Sequence, residues 1–233
     1  MDELTHEQVL RYKDQLSLPA MNADAQVRLL NGSALILGLE GTGLAVAEYL
    51  ASAGVGRIGL VDEEEKLRDC IDVLRKINSD VRVDAQNVSF DSHSADSVLK
   101  EYDVIVDSLS DWQGKLLASD VAMHLNKPLV HGGLFGFACQ IFTMIPGRSA
   151  CLRCALPFVG LEDVPMEKLN AAFAPTVAVA SAMQASAVIK LIAELGGIGG
   201  TTLIQFDAST LETTNVRNLS CRQDCPDCGQ AIS

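Results

Sequence analysis

Two cysteine pairs with the same spacing constrain the C-terminal half of the chain. They are Cys151-x-x-Cys154 and Cys225-x-x-Cys228. A gap of two residues lets both sulfurs of a pair reach one ion from a tight turn, and a tetrahedral zinc takes four thiolates. The pattern therefore predicts a structural zinc site that fastens residues 151–154 to the end of the chain.

Other chemistries for these cysteines are less well matched to the sequence. The chain has 7 cysteines, and an odd number fits poorly with a secreted disulfide framework. A thioredoxin-like redox motif needs only one Cys-x-x-Cys pair. Reduced cysteines without metal remain the principal alternative to zinc.

Length and charge limit the class of protein. With 233 residues and 48% hydrophobic content, the chain can bury one large core, as a single α/β domain does. A formal net charge of -12 argues against nucleic acid and anionic membranes as partners, since both attract basic surfaces. No signal peptide is recognisable at the N-terminus, and unpaired cysteines suit a reducing compartment, so we expect a cytoplasmic protein.

Short apolar runs alternate with helical patterns through the first half of the chain. This alternation predicts a Rossmann-like, doubly wound, mostly parallel sheet. After Gly136 the pattern changes: a long strand leads to the first cysteine pair, a helix from Thr176 to Leu195 follows, and two further strands precede the second pair. This part is predicted to form an antiparallel C-terminal extension stapled by the four-cysteine zinc site. The predicted strands are Ser33–Gly38, Arg57–Asp62, Val81–Val88, Asp103–Asp107, Pro128–His131, Phe137–Ile145, Leu203–Phe206 and Glu212–Val216.

Helices are predicted between several of these strands. The segment Ala174 to Ala193 is apolar and long enough to resemble a membrane span. Gln184, Lys190 and many small residues within it indicate instead a buried helix that packs closely on its neighbours. Further helices are predicted for Leu44–Ala53, for a segment ending near Ile77, and for Ala118–Asn126.

A glycine-rich turn follows the first predicted strand. Gly38, Gly41 and Gly43 lie where a Rossmann-type fold places its phosphate loop, and Asp62 ends the next strand, where an acidic residue accepts ribose hydroxyls. The turn lacks the dinucleotide spacing because Glu40 replaces the second glycine, which disfavours NAD(P). A purely structural role, in which the glycines serve only strand–helix packing, stays open.

Several motifs together resemble the ThiF/MoeB/HesA family, the bacterial relatives of ubiquitin-activating enzymes. Besides the turn, they are an N-terminal Arg-Tyr-x-x-Gln, a segment before Asp62, an Asp-Ala pair and the ending Cys-Pro-Asp-Cys-Gly. The resemblance spans nearly the whole chain. These motifs lie at Arg11–Gln15, Ala51–Asp62, Asp207–Ala208 and Cys225–Gly229.

The resemblance implies ATP binding with Mg²⁺, and adenylation of the C-terminal glycine of a ubiquitin-like sulfur-carrier protein with a Gly-Gly tail. It also implies a homodimer and a structural zinc on four cysteines. Lys66 lies twelve residues before Asn78, as the family's phosphate lysine lies before its asparagine. Asp111 is the nearest carboxylate to the family's magnesium position, which aligns with Ser110.

The chain also departs from the family pattern. Asp14 stands in place of an arginine that resembles an arginine finger, whose loss can cost roughly 10³ to 10⁵ in rate. Between Asp62 and Lys66 the family carries a longer crossover, with an asparagine and an arginine-glutamine pair that act on ATP; here only Glu63-Glu64-Glu65 remains, and the family pattern resumes at Lys66. The sequence alone leaves two explanations open, a true deletion and a mobile loop missing from the sequence as read.

These observations predict one domain over residues 1–233. It would comprise an N-terminal helical segment 1–32, a nucleotide-binding part 33–135, and a carrier-binding and zinc part 136–233. The leading hypothesis is an ATP-dependent adenylyltransferase that uses Lys66 and Asp111. The alternative is a catalytically impaired member that acts as a carrier-binding or partner scaffold, and a remote one is an NAD(P)-dependent oxidoreductase.

Overall fold

One eight-stranded sheet organises the computed structural model, which describes residues 3–155, 172–197, 202–217 and 219–229. The strand order is β3-β2-β1-β4-β5-β6-β7-β8, with β1 to β5 parallel and β6 to β8 antiparallel. The strands are β1 Ser33–Leu37, β2 Arg57–Val61, β3 Arg82–Gln86, β4 Val104–Asp107, β5 Leu129–Phe135, β6 Ala138–Met144, β7 Leu203–Asp207 and β8 Glu212–Val216.

Helices connect the parallel strands and cover both faces of the sheet, as parallel strands require. Several begin or end where the sequence provides a cap; α4, for example, is followed by Gly54, which takes the left-handed conformation with φ 86°. The helices are α1 His6–Arg11, α2 Lys13–Leu16, α3 Ala23–Asn31, α4 Gly43–Ala53, α5 Glu64–Ile77, α6 Ala95–Leu99, α7 Trp112–His124, α8 Leu152–Ala155 and α9 Ala174–Ile192.

The predicted fold class, a doubly wound and mostly parallel sheet with an antiparallel extension, is confirmed. Two predicted boundaries were wrong. Helix α7 begins at Trp112 rather than Ala118, because the Asp111 side chain accepts a hydrogen bond from the Gly114 N–H and caps the helix. Strand β5 continues to Phe135 because β6 pairs with it along its whole length.

Two hydrophobic clusters lie on the opposite faces of the sheet. Strand β1 contributes to both, since its side chains alternate: Ala34 and Ile36 face one cluster, Leu35 and Leu37 the other. Residues of α4, α5 and α9 complete the first cluster, and residues of α6 and α7 complete the second. All five residues of β1 are buried, which makes this strand the centre of the core.

Helix α9 is the one described helix that is long and apolar enough, by length and composition, to cross a membrane. It packs on α4, β5 and β6 through one face, as the interpretation as a core helix predicts. Gln184 on that face is fully buried and donates to the carbonyl oxygens of Asp107 and Val130. The helix thereby stabilises the ends of two central strands.

The N-terminal motif residues are structural. Tyr12 is 2% exposed, and its hydroxyl accepts a hydrogen bond from Asn78 at the end of α5. Gln15 donates to the carbonyl of Ala53 at the end of α4. Gly54 has no room for a side chain, because a Cβ there would lie 2.6 Å from the Tyr12 ring. The first helices are therefore fastened to the part of the chain that carries the glycine-rich turn.

Candidate functional site

A cleft opens at the carboxyl ends of β1 and β4. The chain leaves β1 towards β2 on one side and returns to β4 on the other, which makes this the switch point where open α/β sheets bind ligands. Two adjoining cavities form the cleft. The outer half, about 260 Å³, contains Asp62 and Lys66. The inner half, about 400 Å³, contains Lys115 and Gly132. Both halves share Glu40, Ser108, Leu109 and Ser110.

The glycine-rich turn is compact because its glycines lack side chains. Gly38 and Gly41 take positive φ values of 83° and 58°, which favour glycine. A Cβ on Gly43 would lie 1.9 Å from the carbonyl oxygen of Gly38. The third glycine thus allows α4 to begin directly against the end of β1.

The turn also presents backbone donors. In the part of the chain that the structure describes, the N–H groups of Glu40, Gly41 and Thr42 have no hydrogen-bond acceptor. These three groups precede the first residue of α4, where the helix dipole adds positive potential. Such an arrangement suits a phosphate or carboxylate, as the sequence predicts for Gly38, Gly41 and Gly43.

Asp62 lies at the predicted end of β2 and fixes the turn. Its Oδ2 accepts a hydrogen bond of 2.6 Å from the Leu39 N–H, and its Oδ1 accepts one of 2.7 Å from the Glu63 N–H. Both oxygens already have donors, so a ribose hydroxyl would share this carboxylate with the turn. Its assignment as ribose ligand stays a prediction.

Lys66 is held by carboxylates. Its Nζ lies 2.7 Å from Oε1 of Glu40 and 3.3 Å from Oδ1 of Asp62, with Glu63 at 3.9 Å. The hydrogen bond that the Lys66 ammonium donates to Glu40 is the main reason that the pKa of Lys66 is raised above its ordinary value. The negative charge that the sequence places beside the phosphate turn is therefore paired with the lysine predicted to bind phosphate.

The shortened crossover closes without further residues. Strand β2 ends at Val61, α5 begins at Glu64, and Asp62 and Glu63 join them. Glu65 and Lys66 follow each other inside α5.

Asp111, the predicted magnesium ligand, is exposed and caps α7 through its hydrogen bond of 2.7 Å from the Gly114 N–H. The side chains that line the described cleft include Ser110 but not Asp111. Ser110 therefore faces the cleft, and the assignment of Asp111 as a magnesium ligand stays a prediction.

A buried polar network lies beneath the inner half of the cleft. His131 Nδ1 lies 2.6 Å from Oδ2 of Asp107, and its Nε2 lies 3.2 Å from Nε2 of Gln140. Because Asp107 accepts and the Gln140 amide nitrogen donates, the His131 ring carries its proton on Nδ1 and is neutral. Lys115 Nζ lies 3.3 Å from Oδ1 of Asp107 and 2.8 Å from the carbonyl oxygen of Gly132.

Opposing effects set the ionisation of this network. Burial opposes the charge on Asp107, but the Lys115 ammonium and the His131 hydrogen bond outweigh it, so the pKa of Asp107 lies below its ordinary value. Burial also lowers the pKa of His131, more than the Asp107 contact raises it. The network is consequently a carboxylate, an ammonium and a neutral imidazole.

Lys115 was missed by the sequence analysis. Trp112 lines the inner half of the cleft, 6.0 Å between ring centroids from His131. The available signal was a lysine on the buried side of α7, eight residues after the acidic residue that ends β4.

The four predicted cysteines converge away from the cleft, behind α7. Their sulfur atoms lie within 4.8 Å of one another and all four side chains are buried. The sulfurs of Cys151 and Cys225 are 3.5 Å apart, and those of Cys154 and Cys228 are 3.6 Å apart. Four thiolates about 2.3 Å from one tetrahedral ion would have sulfurs about 3.8 Å apart. The cluster can thus bind a metal ion.

The chemistry of the cluster is consistent with a cation. Burial raises the pKa of the Cys151 thiol to about 12. Burial opposes ionisation of Cys225 also, but the Cys228 and Asp227 N–H groups lead the contacts that lower its pKa to about 7. The Arg222 N–H donates to the sulfur of Cys154 at 3.4 Å. Four thiolates would therefore coexist here only with a compensating divalent ion.

A switch-point cleft with a glycine-rich turn, combined with a four-cysteine cluster that can bind a metal ion, defines a Rossmann-like class of α/β domain. The family model described as "ThiF family" matches residues 12–66 and 63–229. The chain therefore belongs to the ThiF family. The two matched segments meet and overlap at residues 63–66, where the crossover between β2 and α5 is short.

Curated relatives align along nearly all of the chain. The "Adenylyltransferase and sulfurtransferase MOCS3" of Drosophila sechellia is 30% identical over 250 residues, which covers 97% of this chain and 54% of the relative. That of Sus scrofa is 29% identical over 252 residues, with the same coverage. The chain thus spans about half the length of these relatives. Since 250 aligned positions exceed the chain's own 233, the Drosophila relative carries segments that this chain lacks.

Solved structures share the fold. A crystal structure of E. coli MccB with MccA-N7isoASN has a TM-score of 0.81 at 21% identity, and the match covers 97% of this chain and 76% of that one. SeMet PaaA has a TM-score of 0.76 at 16% identity, covering 94% and 76%. At these identities the likeness establishes the fold.

Proposed function

We propose that this protein is an ATP-dependent adenylyltransferase that activates the C-terminal glycine of a ubiquitin-like sulfur-carrier protein. The observation that carries the proposal is the turn of a ThiF-family chain whose three N–H groups, from Glu40 to Thr42, open into the switch-point cleft. The names of the curated relatives describe adenylyltransferases. One structure of E. coli MccB, which shares the fold, was solved with ATP.

The reaction would join a carboxylate to the α-phosphate of ATP. A carboxylate oxygen attacks the α-phosphorus, the bond from that phosphorus to the β-phosphate oxygen breaks, and pyrophosphate leaves. The product is an acyl-adenylate. No proton changes place, so the protein contributes by positioning the reactants and stabilising charge.

The proposed residues divide these tasks. The turn from Gly38 to Gly43 would hold phosphate oxygens, Asp62 the ribose and Lys66 the phosphates, while Asp111 is the predicted ligand for Mg²⁺. Lys66 lies in the outer half of the cleft beside Asp62. Phosphate would replace Glu40 as the partner of the Lys66 ammonium.

A second candidate function rests on the same ion pair. Glu40, Asp62 and Glu63 surround Lys66 with three carboxylates, and these would repel the phosphates of ATP. An impaired family member that binds the carrier or a partner without turnover would have this arrangement.

The ATP–pyrophosphate exchange reaction separates the two candidates. Purified protein would be assayed with Mg²⁺, ATP, labelled pyrophosphate and a panel of carriers that end in Gly-Gly. Exchange that depends on the carrier supports the adenylyltransferase. If no carrier supports exchange, and circular dichroism shows that the protein is folded, the adenylyltransferase is rejected in favour of the scaffold. The remote oxidoreductase alternative is tested by comparing the melting temperature with ATP and with NAD(P)H. A shift with ATP but not with NAD(P)H rejects the oxidoreductase.

We further propose that the four-cysteine cluster holds zinc. A tetrahedral set of four thiolates is typical of structural zinc and leaves no open position for a substrate. Bound metal would connect the segment of Cys151 and Cys154, after β6, to Cys225 and Cys228 near the chain's end. Its role would be folding rather than the adenylation chemistry.

The remaining expectations from the family resemblance are proposals of the same kind. They are a homodimer, a cytoplasmic location, and the division into residues 1–32, 33–135 and 136–233. Sedimentation would test the dimer. A carrier-binding role for residues 136–233 would be supported by crosslinks from the carrier to this part of the chain.

A further inference from the structure

Lys115 is placed unusually for a lysine. It lies in the first turn of α7, is 5% exposed, and lines the inner half of the cleft. Its Nζ donates to the carbonyl oxygen of Gly132 at 2.8 Å and to the carboxylate of Asp107 at 3.3 Å. An ammonium has three N–H donors, and the described residues provide acceptors at these two groups.

The ammonium of Lys115 and the carboxylate of Asp107 sum to no net charge, but their positions relative to the cleft differ. Asp107 is 0% exposed and lies behind Lys115, outside the residues that line the cleft. Its two oxygens also accept from the Leu109 N–H at 3.1 Å and from His131 at 2.6 Å. An anion in the inner half would therefore meet the ammonium first, with the carboxylate partly occupied by other donors.

Few positive side chains are available to such an anion. Among the described residues that line the two halves of the cleft, the basic ones are Lys66 and Lys115. Lys66 lies in the outer half and is paired with Glu40. Among its described lining residues the inner half thus has one cation, in the same cavity as the backbone donors of Gly41 and Thr42.

We propose that Lys115 binds the anionic oxygens at the reacting end of the substrates, the carboxylate that attacks and the α-phosphate that receives it. This inference rests on the proposed function. Fixed donors in a partly closed cavity stabilise charge more strongly than water does. Asp107 and His131 are positioning residues, because they hold the ammonium at the base of the inner half and do not line it themselves.

The variants must separate charge from folding. Lys115→Met alone leaves the buried Asp107 without its ammonium and can unfold the protein. The double variant Lys115→Met with Asp107→Asn removes both charges with little change in volume. Lys115→Arg restores the charge. Lys100→Met is the matched control, since Lys100 is exposed and outside the cleft lining.

Trp112 provides the binding signal, because it is the single tryptophan of the chain and lines the inner half of the cleft. Its fluorescence would be titrated with a peptide that ends in a Gly-Gly carboxylate and with the same peptide as a C-terminal amide. We expect the wild type and Lys100→Met to bind the carboxylate about 10- to 100-fold more tightly than the amide. The double variant should bind both equally, and Lys115→Arg should recover part of the difference.

Pyrophosphate exchange gives the second readout. We expect the double variant to lose about 10- to 100-fold in kcat/KM for the carrier, with KM for ATP changed less because the outer half is intact. A folded double variant that exchanges like the wild type, or that still prefers the carboxylate peptide, contradicts the role of Lys115.

The two proposals fail separately. If the wild type exchanges with no carrier but its preference for the carboxylate peptide depends on Lys115, the adenylyltransferase is rejected and the anion site stands. If exchange occurs and the wild type binds carboxylate and amide peptides equally, the anion site is rejected and the enzyme stands.

Discussion

Nζ of Lys66 lies 2.7 Å from Oε1 of Glu40, and this contact joins helix α5 to the glycine-rich turn. The pair lies where the outer and inner halves of the cleft meet, since Glu40 lines both. Phosphates that approach the free N–H groups of the turn would have to displace the Glu40 carboxylate from the lysine.

Glu40→Gln should strengthen ATP binding. The substitution keeps the shape of the side chain but removes a negative charge beside the phosphates and releases Lys66. Because the pair is partly exposed to solvent, we expect a gain of roughly two- to fivefold in affinity, measured by calorimetry at low salt. The gain should shrink in high salt.

Glu65→Gln is the control for that measurement. Glu65 is exposed, precedes Lys66 directly, and has no ion pair among the described residues. An equal gain from both variants would show that net charge, rather than the contact with Lys66, limits ATP binding.

His131 should make the protein less stable in mild acid. Burial lowers the pKa of His131 from its ordinary value of 6.5, so below pH 6.5 the unfolded chain binds a proton that the folded protein does not. Stability therefore falls as the pH is lowered from 6.5, by up to about 1.4 kcal/mol per pH unit for one proton. Urea unfolding between pH 5.0 and 7.5 would measure the slope.

His131→Asn should reduce that slope. The Asn amide nitrogen can replace Nδ1 as donor to Asp107 but does not titrate. The other three histidines, His6, His93 and His124, are exposed. An unchanged slope in the variant would show that His131 is not the group responsible.

Removal of the metal should unfold the C-terminal extension. We expect one zinc per chain by elemental analysis, and a strong chelator should lower the melting temperature, because such sites contribute on the order of 10 kcal/mol to local folding. Cys225→Ser should abolish stoichiometric zinc. Cys221→Ser should retain it, since the Cys221 sulfur lies outside the four-cysteine group and is 3.5 Å from the Ser149 carbonyl oxygen.

Gly43→Ala should destabilise the fold. A Cβ at this position lies 1.9 Å from the Gly38 carbonyl oxygen, so the turn and α4 must separate, at a cost of about 3 kcal/mol. Gly196→Ala is the comparison, because that glycine has φ of 72° but open space around it and should cost about 1 kcal/mol. Similar urea midpoints for the two variants would show that the turn adjusts without strain.

The sequence predicted the features that depend on neighbouring residues. The strand before Gly38, the helix that ends at Gly54 and the positions of Asp62 and Cys151 follow from local periodicity, turn chemistry and spacing. The position of β1 follows from its short apolar run, since a strand buried on both faces has apolar residues throughout.

The sequence could not predict the contacts between elements distant in the chain. Lys66 lies within helix α5, and only the tertiary fold brings it to Glu40 in the glycine-rich turn. Lys115 and Asp107 are similarly close because α7 packs over the ends of β4 and β5. The length of β5 was missed because its glycines have low strand propensity, and pairing with β6 overrides that preference.

With a metal on the four cysteines, the chain between Cys154 and Cys225 becomes a closed ring that includes α9, β7 and β8. The turn after β7 reaches the surface at Leu211, which is 77% exposed. A protease that cuts this turn once would open the ring without releasing either end. The two fragments would stay together through the metal and separate when a chelator is added.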